Sequence, residues 1–178
     1  MTFEAPSERL RKLGLTLPPP REPVANFLSY KQYGNLLFLS GQGPVSHDGV
    51  RHTGKVGLDV SVSEAYQHAQ LTTLNLLAVA DAAAGSIDRV AGIVKLLGFV
   101  NAAPDFTDHP AVMNGCSDLL VSLFGEQGMH ARSAIGAGSL PNQITVEIEM
   151  IVALAIDRNS SESRQKLPIG IRNDGTFA

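Results

Sequence analysis

The sequence predicts a single α+β domain in which helices pack on one face of a sheet, and three segments carry that expectation. From Ile144 to Ile156 every even position is apolar, the two-residue period of a strand with one face in a core. Ser61-Val62-Ser63-Glu64 has the spacing of a capping box, in which Ser61 accepts from the Glu64 amide and Glu64 reaches back to Ser61. A run rich in Ala and Leu follows to about Ala84, with Gly85 placed to end a helix. Leu28 to Lys31 and Leu36 to Ser40 flank Gln32-Tyr33-Gly34-Asn35, a separator with the turn chemistry of a hairpin.

The remaining elements fall in order around these. Ser7 to Leu13 reads as a short helix with Ser7 as N-cap and Gly14 beyond its end. Pro18-Pro19-Pro20 then forces an extended connector. In the helix that starts at Ser61, Ala65, Ala69, Thr72 and Leu76 share one stripe. Ile93 to Val100 is apolar on both faces apart from Lys95, which suits a central strand covered on both sides. Pro110 falls in the first turn of a second helix that runs to Phe124, before Gly125. Ala131 to Gly136 and Ile144 to Ile156 are the last two strands. The odd positions of the latter begin Thr145, Glu147, Glu149 and turn apolar at Ile151, Ala153 and Ala155. That mixture predicts a second sheet face which is also covered, by another subunit. The division along the chain is a helix and proline-rich connector over 1–23, one domain over 24–157, and a polar tail over 158–178.

Composition removes several classes of function. Fourteen Lys and Arg against seventeen Asp and Glu give a formal charge of −3, and no run of basic residues forms a stripe for nucleic acid. With one cysteine, Cys116, no internal disulfide forms, and a reducing, cytoplasmic compartment is expected. The opening MTFEAPSERLRKLG lacks the apolar stretch of a signal peptide, and Met150 to Ile156 is far too short to span a membrane.

The residues that bear on chemistry gather near the end of the chain. If Ala131–Gly136 and the last strand pair as a hairpin, Arg132 falls on the face of Glu147 and Glu149. Two readings are open there: a cross-strand salt bridge, or an arginine fork that binds a ligand carboxylate through two parallel hydrogen bonds. His130, on the same face as Arg132, is either a proton-transfer group or a solvated histidine at a strand end. Cys116 reads as a buried small apolar residue. His47 and His52 flank an Asp48-Gly49 turn and have no further metal-ligating partners, so no metal site is expected. Gly41-Gln42-Gly43 is too short for a dinucleotide fingerprint.

Gly34-Asn35-Leu36-Leu37-Phe38-Leu39-Ser40-Gly41-Gln42, Gly98-Phe99-Val100, Ala131-Arg132-Ser133, Leu140-Pro141 and Glu147-Ile148-Glu149 together resemble the RidA/YjgF family, formerly endoribonuclease L-PSP. The matches run in family order from about Pro23 to Ala153. Lys55-Val56-Gly57, Asn114-Gly115 and His130 to Gly136 look like a divergent subgroup. The resemblance implies a chorismate-mutase-like two-layer sandwich: a mixed β-sheet with two main helices on one face. It also implies a homotrimer with ligand sites in the intersubunit clefts. The implied activity is cofactor-independent hydrolysis of enamine/imine intermediates, such as 2-aminoacrylate, to 2-keto acids and ammonia. Under the resemblance, Arg132 matches the arginine that binds the substrate carboxylate and Glu147 the glutamate that helps place the attacking water. Asn114 matches the helix asparagine, and Gly41 the glycine that lines the pocket with its backbone. Phe27 stands where active members often carry tyrosine, and Ala134 where they carry cysteine. The expected function is therefore an imine/enamine deaminase. The alternative is a non-catalytic trimer that binds small carboxylates or a partner protein, and RNA cleavage is disfavoured by the charge and the scarcity of aromatic residues.

Overall fold

A computed structural model describes residues 4–23 and 25–156, and the polar tail expected over 158–178 lies outside the described residues. The first helix, α1 (Pro6–Lys12), begins one residue earlier than expected, because Pro6 takes its first turn and Ala5 is the N-cap. Ser7 is not a cap. Its amide and its hydroxyl both donate to the carboxylate of Asp88, at 2.9 and 2.7 Å. Leu10 is buried in the main core, with Leu15 and Leu17 packed against it, so the segment expected to precede the domain is part of its packing.

Strands β1 (Tyr30–Tyr33) and β2 (Leu36–Gln42) form the expected hairpin, shifted toward the turn, with Gly34-Asn35 as a two-residue loop. Gly34 adopts φ 60°, which a side chain there would strain. Helix α2 (Val62–Ala84) starts from the predicted capping box, with both reciprocal hydrogen bonds present, and ends at Gly85 in the left-handed conformation. It leads into β3 (Val90–Asn101), and α3 (His109–Phe124) leads from β3 into β4 (Ala131–Ala137). The last strand, β5 (Val146–Leu154), is shorter than the apolar alternation suggested, since Ile144 makes only an isolated bridge with Thr53.

The five strands lie in the order β1-β2-β5-β3-β4, with β3 and β4 parallel and the other neighbours antiparallel. This mixed sheet corrects the expected hairpin between Ala131–Gly136 and the last strand. A strand joined to its predecessor through a helix returns parallel to it, so α3 sets β4 beside β3. The chain then crosses the end of the sheet and inserts β5 between β2 and β3. The even residues of β5 (Val146, Ile148, Met150 and Val152) are buried under α2, in one core with Leu37, Leu96, Leu76 and Leu120.

Among the described residues no helix covers the opposite face. Phe38, Lys95, Leu97, Phe99, Ile135 and Ile151 share it with Glu147 and Glu149. Phe38 and Ile135 remain 42% and 46% exposed there, so the described residues of one chain cover the sheet fully on its helix side only. Among the described residues no helix is long and apolar enough to cross a membrane.

Candidate functional site

Cross-strand partners point to the same side of a sheet, and this fixes where Arg132 lies. Arg132 pairs with Leu96, and Leu96 with the buried Met150, so Arg132 is on the helix face. Glu147 pairs with Phe99 on the other face. The expectation that Arg132 shares a face with Glu147 and Glu149 is therefore overturned, by the same parallel crossover that removed the hairpin.

What Arg132 meets instead is α3. Its Nη1 donates to Asn114 Oδ1 at 3.0 Å and to Ser117 Oγ at 2.9 Å, while Nη2 donates to the carbonyl of Pro110 at 3.4 Å. All three acceptors are neutral, and among the described residues Arg132 forms no ion pair. The cross-strand salt bridge is thus absent, and the guanidinium keeps a net positive charge at the rim between β4 and α3.

Ser117 extends this contact to His130. Ser117 Oγ lies 3.0 Å from His130 Nε2, and His130 Nδ1 lies 2.6 Å from the carbonyl of Gly128. A carbonyl only accepts, so Nδ1 carries the proton, Nε2 of the neutral ring accepts, and the Ser117 hydroxyl donates to it. Burial pushes the His130 pKa down, and the nearby Arg132 charge adds to this against the opposing Gly128 hydrogen bond. His130 is thus a half-buried, anchored ring rather than a solvated strand end. Ser117 was missed in the sequence, although it lies one helical turn beyond Asn114 on the same stripe.

Asn114, Arg132 and Ala134 belong to this helix-side corner; Ala134 is half-buried against the core two residues beyond Arg132. The other three candidates sit apart from it. The Glu147 carboxylate lies directly over Gly41, where a Cβ would collide with it. A side chain at 41 would therefore have to displace the Glu147 carboxylate from this position. Gly41 and the 48%-exposed Phe27 line a cavity of about 200 Å³ that also includes Arg51 and Asn142, and Arg132 is not part of its wall. Burial raises the Glu147 pKa, and the adjacent Glu149 raises it further. Within one chain Asn114, Arg132 and Ala134 therefore lie on the helix face of the sheet, Glu147 lies over Gly41 on the other face, and Phe27 shares a cavity wall with Gly41.

Of the other residues weighed, Cys116 is fully buried, and burial pushes its thiol up to about 12, which leaves it unreactive. His47 is exposed, while His52 stacks on His68 at 4.4 Å, and His68 lies 3.1 Å from Thr145 Oγ1. Among the described residues no three His, Cys, Asp or Glu gather to hold a metal.

A five-stranded mixed sheet with two long helices on one face, and a cationic corner between its edge strand and the second helix, define a two-layer α+β class. Residues 7–152 match the profile described as "YjgF/chorismate_mutase-like, putative endoribonuclease", and the chain belongs to that family. It is 41% identical to Protein TCP17 of Trypanosoma cruzi over 146 residues, covering 82% of this chain and 91% of that one. It superposes on the crystal structure of Atu1372 from Agrobacterium tumefaciens, a protein of unknown function, with TM-score 0.78 and 39% identity. That match covers 85% of this chain and 93% of the other. A more distant relative, 27% identical over 145 residues (79% of this chain and 94% of that one), is the 2-iminobutanoate/2-iminopropanoate deaminase of Dermatophagoides farinae.

Proposed function

We propose that the protein is a cofactor-independent imine/enamine deaminase that converts 2-imino acids of the 2-aminoacrylate type to 2-keto acids and ammonia. The observation that carries this reading is the Arg132 guanidinium, held by three neutral acceptors with no carboxylate against it among the described residues. A cation fixed in place and left without a counter-ion is suited to the carboxylate of a small acid.

The separation of the half-sites fits a homotrimer whose clefts bring Arg132, Asn114 and Ala134 of one copy against Gly41, Phe27 and Glu147 of the partner subunit. The half-exposed apolar side chains of the open sheet face are the surface such an assembly would bury. In that cleft Arg132 anchors the substrate carboxylate, and Glu147 of the partner subunit places a water against the C=N carbon. Water adds across the double bond, the nitrogen takes up a proton, and the C–N bond breaks. One imine and one water become one keto acid and one ammonia. The distant relative that bears the deaminase name supports the same chemistry.

A second reading, a trimer that binds small carboxylates without catalysis, is favoured by Phe27 and Ala134, which bring neither a hydroxyl nor a thiol to the cleft. Ammonia release from imino acids generated in situ separates the two. The deaminase reading expects acceleration in wild type and none with Arg132→Ala. A folded trimer with no acceleration over spontaneous hydrolysis leaves the binding protein.

A further inference from the structure

Beyond the carboxylate anchor, the corner between α3 and β4 holds a chain of hydrogen bonds with a consistent direction. Arg132 Nη1 donates to Ser117 Oγ, the Ser117 hydroxyl donates to His130 Nε2, and His130 Nδ1–H donates to the Gly128 carbonyl. A hydroxyl oxygen has two acceptor positions, and Arg132 takes one of them. The other remains for a water or a substrate nitrogen. We propose that Ser117 and His130 form a proton relay that serves as the acid–base group for whatever Arg132 anchors.

This rests on the deaminase reading and supplies the proton transfers that reading leaves open. As water adds to the carbon of the protonated imine, its proton passes to Ser117 Oγ while the Ser117 proton moves to His130 Nε2, which leaves a neutral carbinolamine and an imidazolium. In the second step His130 returns that proton through Ser117 to the nitrogen. The C–N bond breaks with its electron pair leaving on ammonia, the protonated carbonyl gives its hydroxyl proton to solvent water, and the relay ends as it began. Its parts suit this use. The Gly128 carbonyl fixes the tautomer with Nε2 as acceptor, and burial keeps the ring neutral near pH 7. Arg132 is the charged group that acts on His130, from β4, and a bound carboxylate would offset its repulsion of the imidazolium formed in the first step. Glu147 lies on the other face of the same chain, so His130 is the base built into the Arg132 corner itself.

The test measures kcat, KM and pH–rate profiles for wild type, Ser117→Ala and His130→Gln. It adds calorimetric binding of 2-oxobutyrate, which occupies the anchor without reacting. General acid–base catalysis is worth on the order of 10²–10⁴ in rate, so each variant should lose about a hundredfold or more in kcat. Affinity for 2-oxobutyrate should stay within about threefold of wild type, since the anchor's charge is retained. Wild-type kcat should fall on the acid side as His130 takes a proton below its ordinary value near 6.5, and that limb should vanish in His130→Gln. A loss of affinity parallel to the loss of kcat would mean that the pair only props Arg132, and would overturn the relay. An active wild type with no acid limb would overturn it even if both variants failed to fold. A wild type inert toward all imino acids overturns the deaminase reading and the relay with it. An active wild type with unchanged variants overturns the relay alone.

Discussion

On the helix side of the sheet, the guanidinium of Arg132 is surrounded by groups that accept from it: Asn114, Ser117 and the Pro110 carbonyl. On the other side, Glu147 and Glu149 repel each other beside Phe38 and Ile135, which are still open to solvent. The first region is internally satisfied and keeps a surplus of positive charge. The second is not covered by the described residues of one chain: a half-buried carboxylate is held above its ordinary pKa and apolar side chains meet water. On the proposed reading the two faces have different jobs, the first to hold a ligand in fixed geometry and the second to be completed by another copy of the chain.

Removing the charge of the finished corner should have the largest effect. Arg132→Ala deletes the carboxylate's counter-ion and leaves Asn114 and Ser117 without their donor. Ammonia release from 2-aminoacrylate should fall to the spontaneous rate. Arg132→Lys keeps a charge but loses the fork, and a charge-assisted contact of about 1.5–3 kcal/mol implies roughly tenfold or more weaker binding of 2-oxobutyrate. Equal affinity in wild type and Arg132→Lys, measured by calorimetry, would erase the functional distinction between the two faces.

The unfinished face is tested next by assembly. Wild type should sediment near three times 18.9 kDa at micromolar concentration. Ile135→Asp, which puts a charge into the exposed apolar patch, should shift it to monomer and abolish activity while leaving the secondary structure intact. A wild-type monomer would leave the two half-sites apart and the comparison without its explanation.

Much of this architecture can be read from the sequence, and the part that cannot has an identifiable cause. The capping box at Ser61 and Glu64, the stop at Gly85 and the alternation along β5 are local patterns, and local patterns suffice for element type and for the buried side of β5. Strand order is not local. The sequence separation between β4 and β5 suits a hairpin, but α3 forces β4 parallel to β3 and β5 pairs two strands distant in sequence. The face of Arg132 followed from that pairing, so it was misread for the same reason. Its partner Ser117 carried only a helical spacing, which has no meaning until α3 lies over β4.

Glu147→Gln sharpens the comparison from the acidic side. If the carboxylate places the water through a charge-assisted hydrogen bond, its loss should lower kcat by about tenfold or more. Stability should move the other way. A carboxyl group with a raised folded pKa favours folding while protonated, and that contribution is lost as pH rises from its ordinary value of 4.5 through the folded value. At neutral pH the ionised Glu147 therefore weighs against the fold, and Glu147→Gln should raise the melting temperature by a few degrees at most. Below pH 4 the two proteins should melt together. A drop in melting temperature at pH 7 would mean that the carboxylate has a favourable partner on the open face.

The smallest expected change is at Phe27, which shares the cavity wall with Gly41 and is about half exposed, so a phenolic oxygen there meets no packed neighbour that must move. Phe27→Tyr adds one hydroxyl to a cleft that otherwise offers the substrate a backbone surface at Gly41 and the carboxylate of Glu147. A neutral hydrogen bond contributes about 0.5–1.5 kcal/mol net, which corresponds to a gain of a few-fold to roughly tenfold in kcat/KM. The gain should require the finished corner: in an Arg132→Ala background the added hydroxyl has no anchored substrate to hold, and Phe27→Tyr should change nothing. An equal gain in both backgrounds would place the new hydroxyl in contact with something other than a ligand held by Arg132. No gain in either would mean that Phe27 and Arg132 do not face one cleft, and that the open face completes itself in another way.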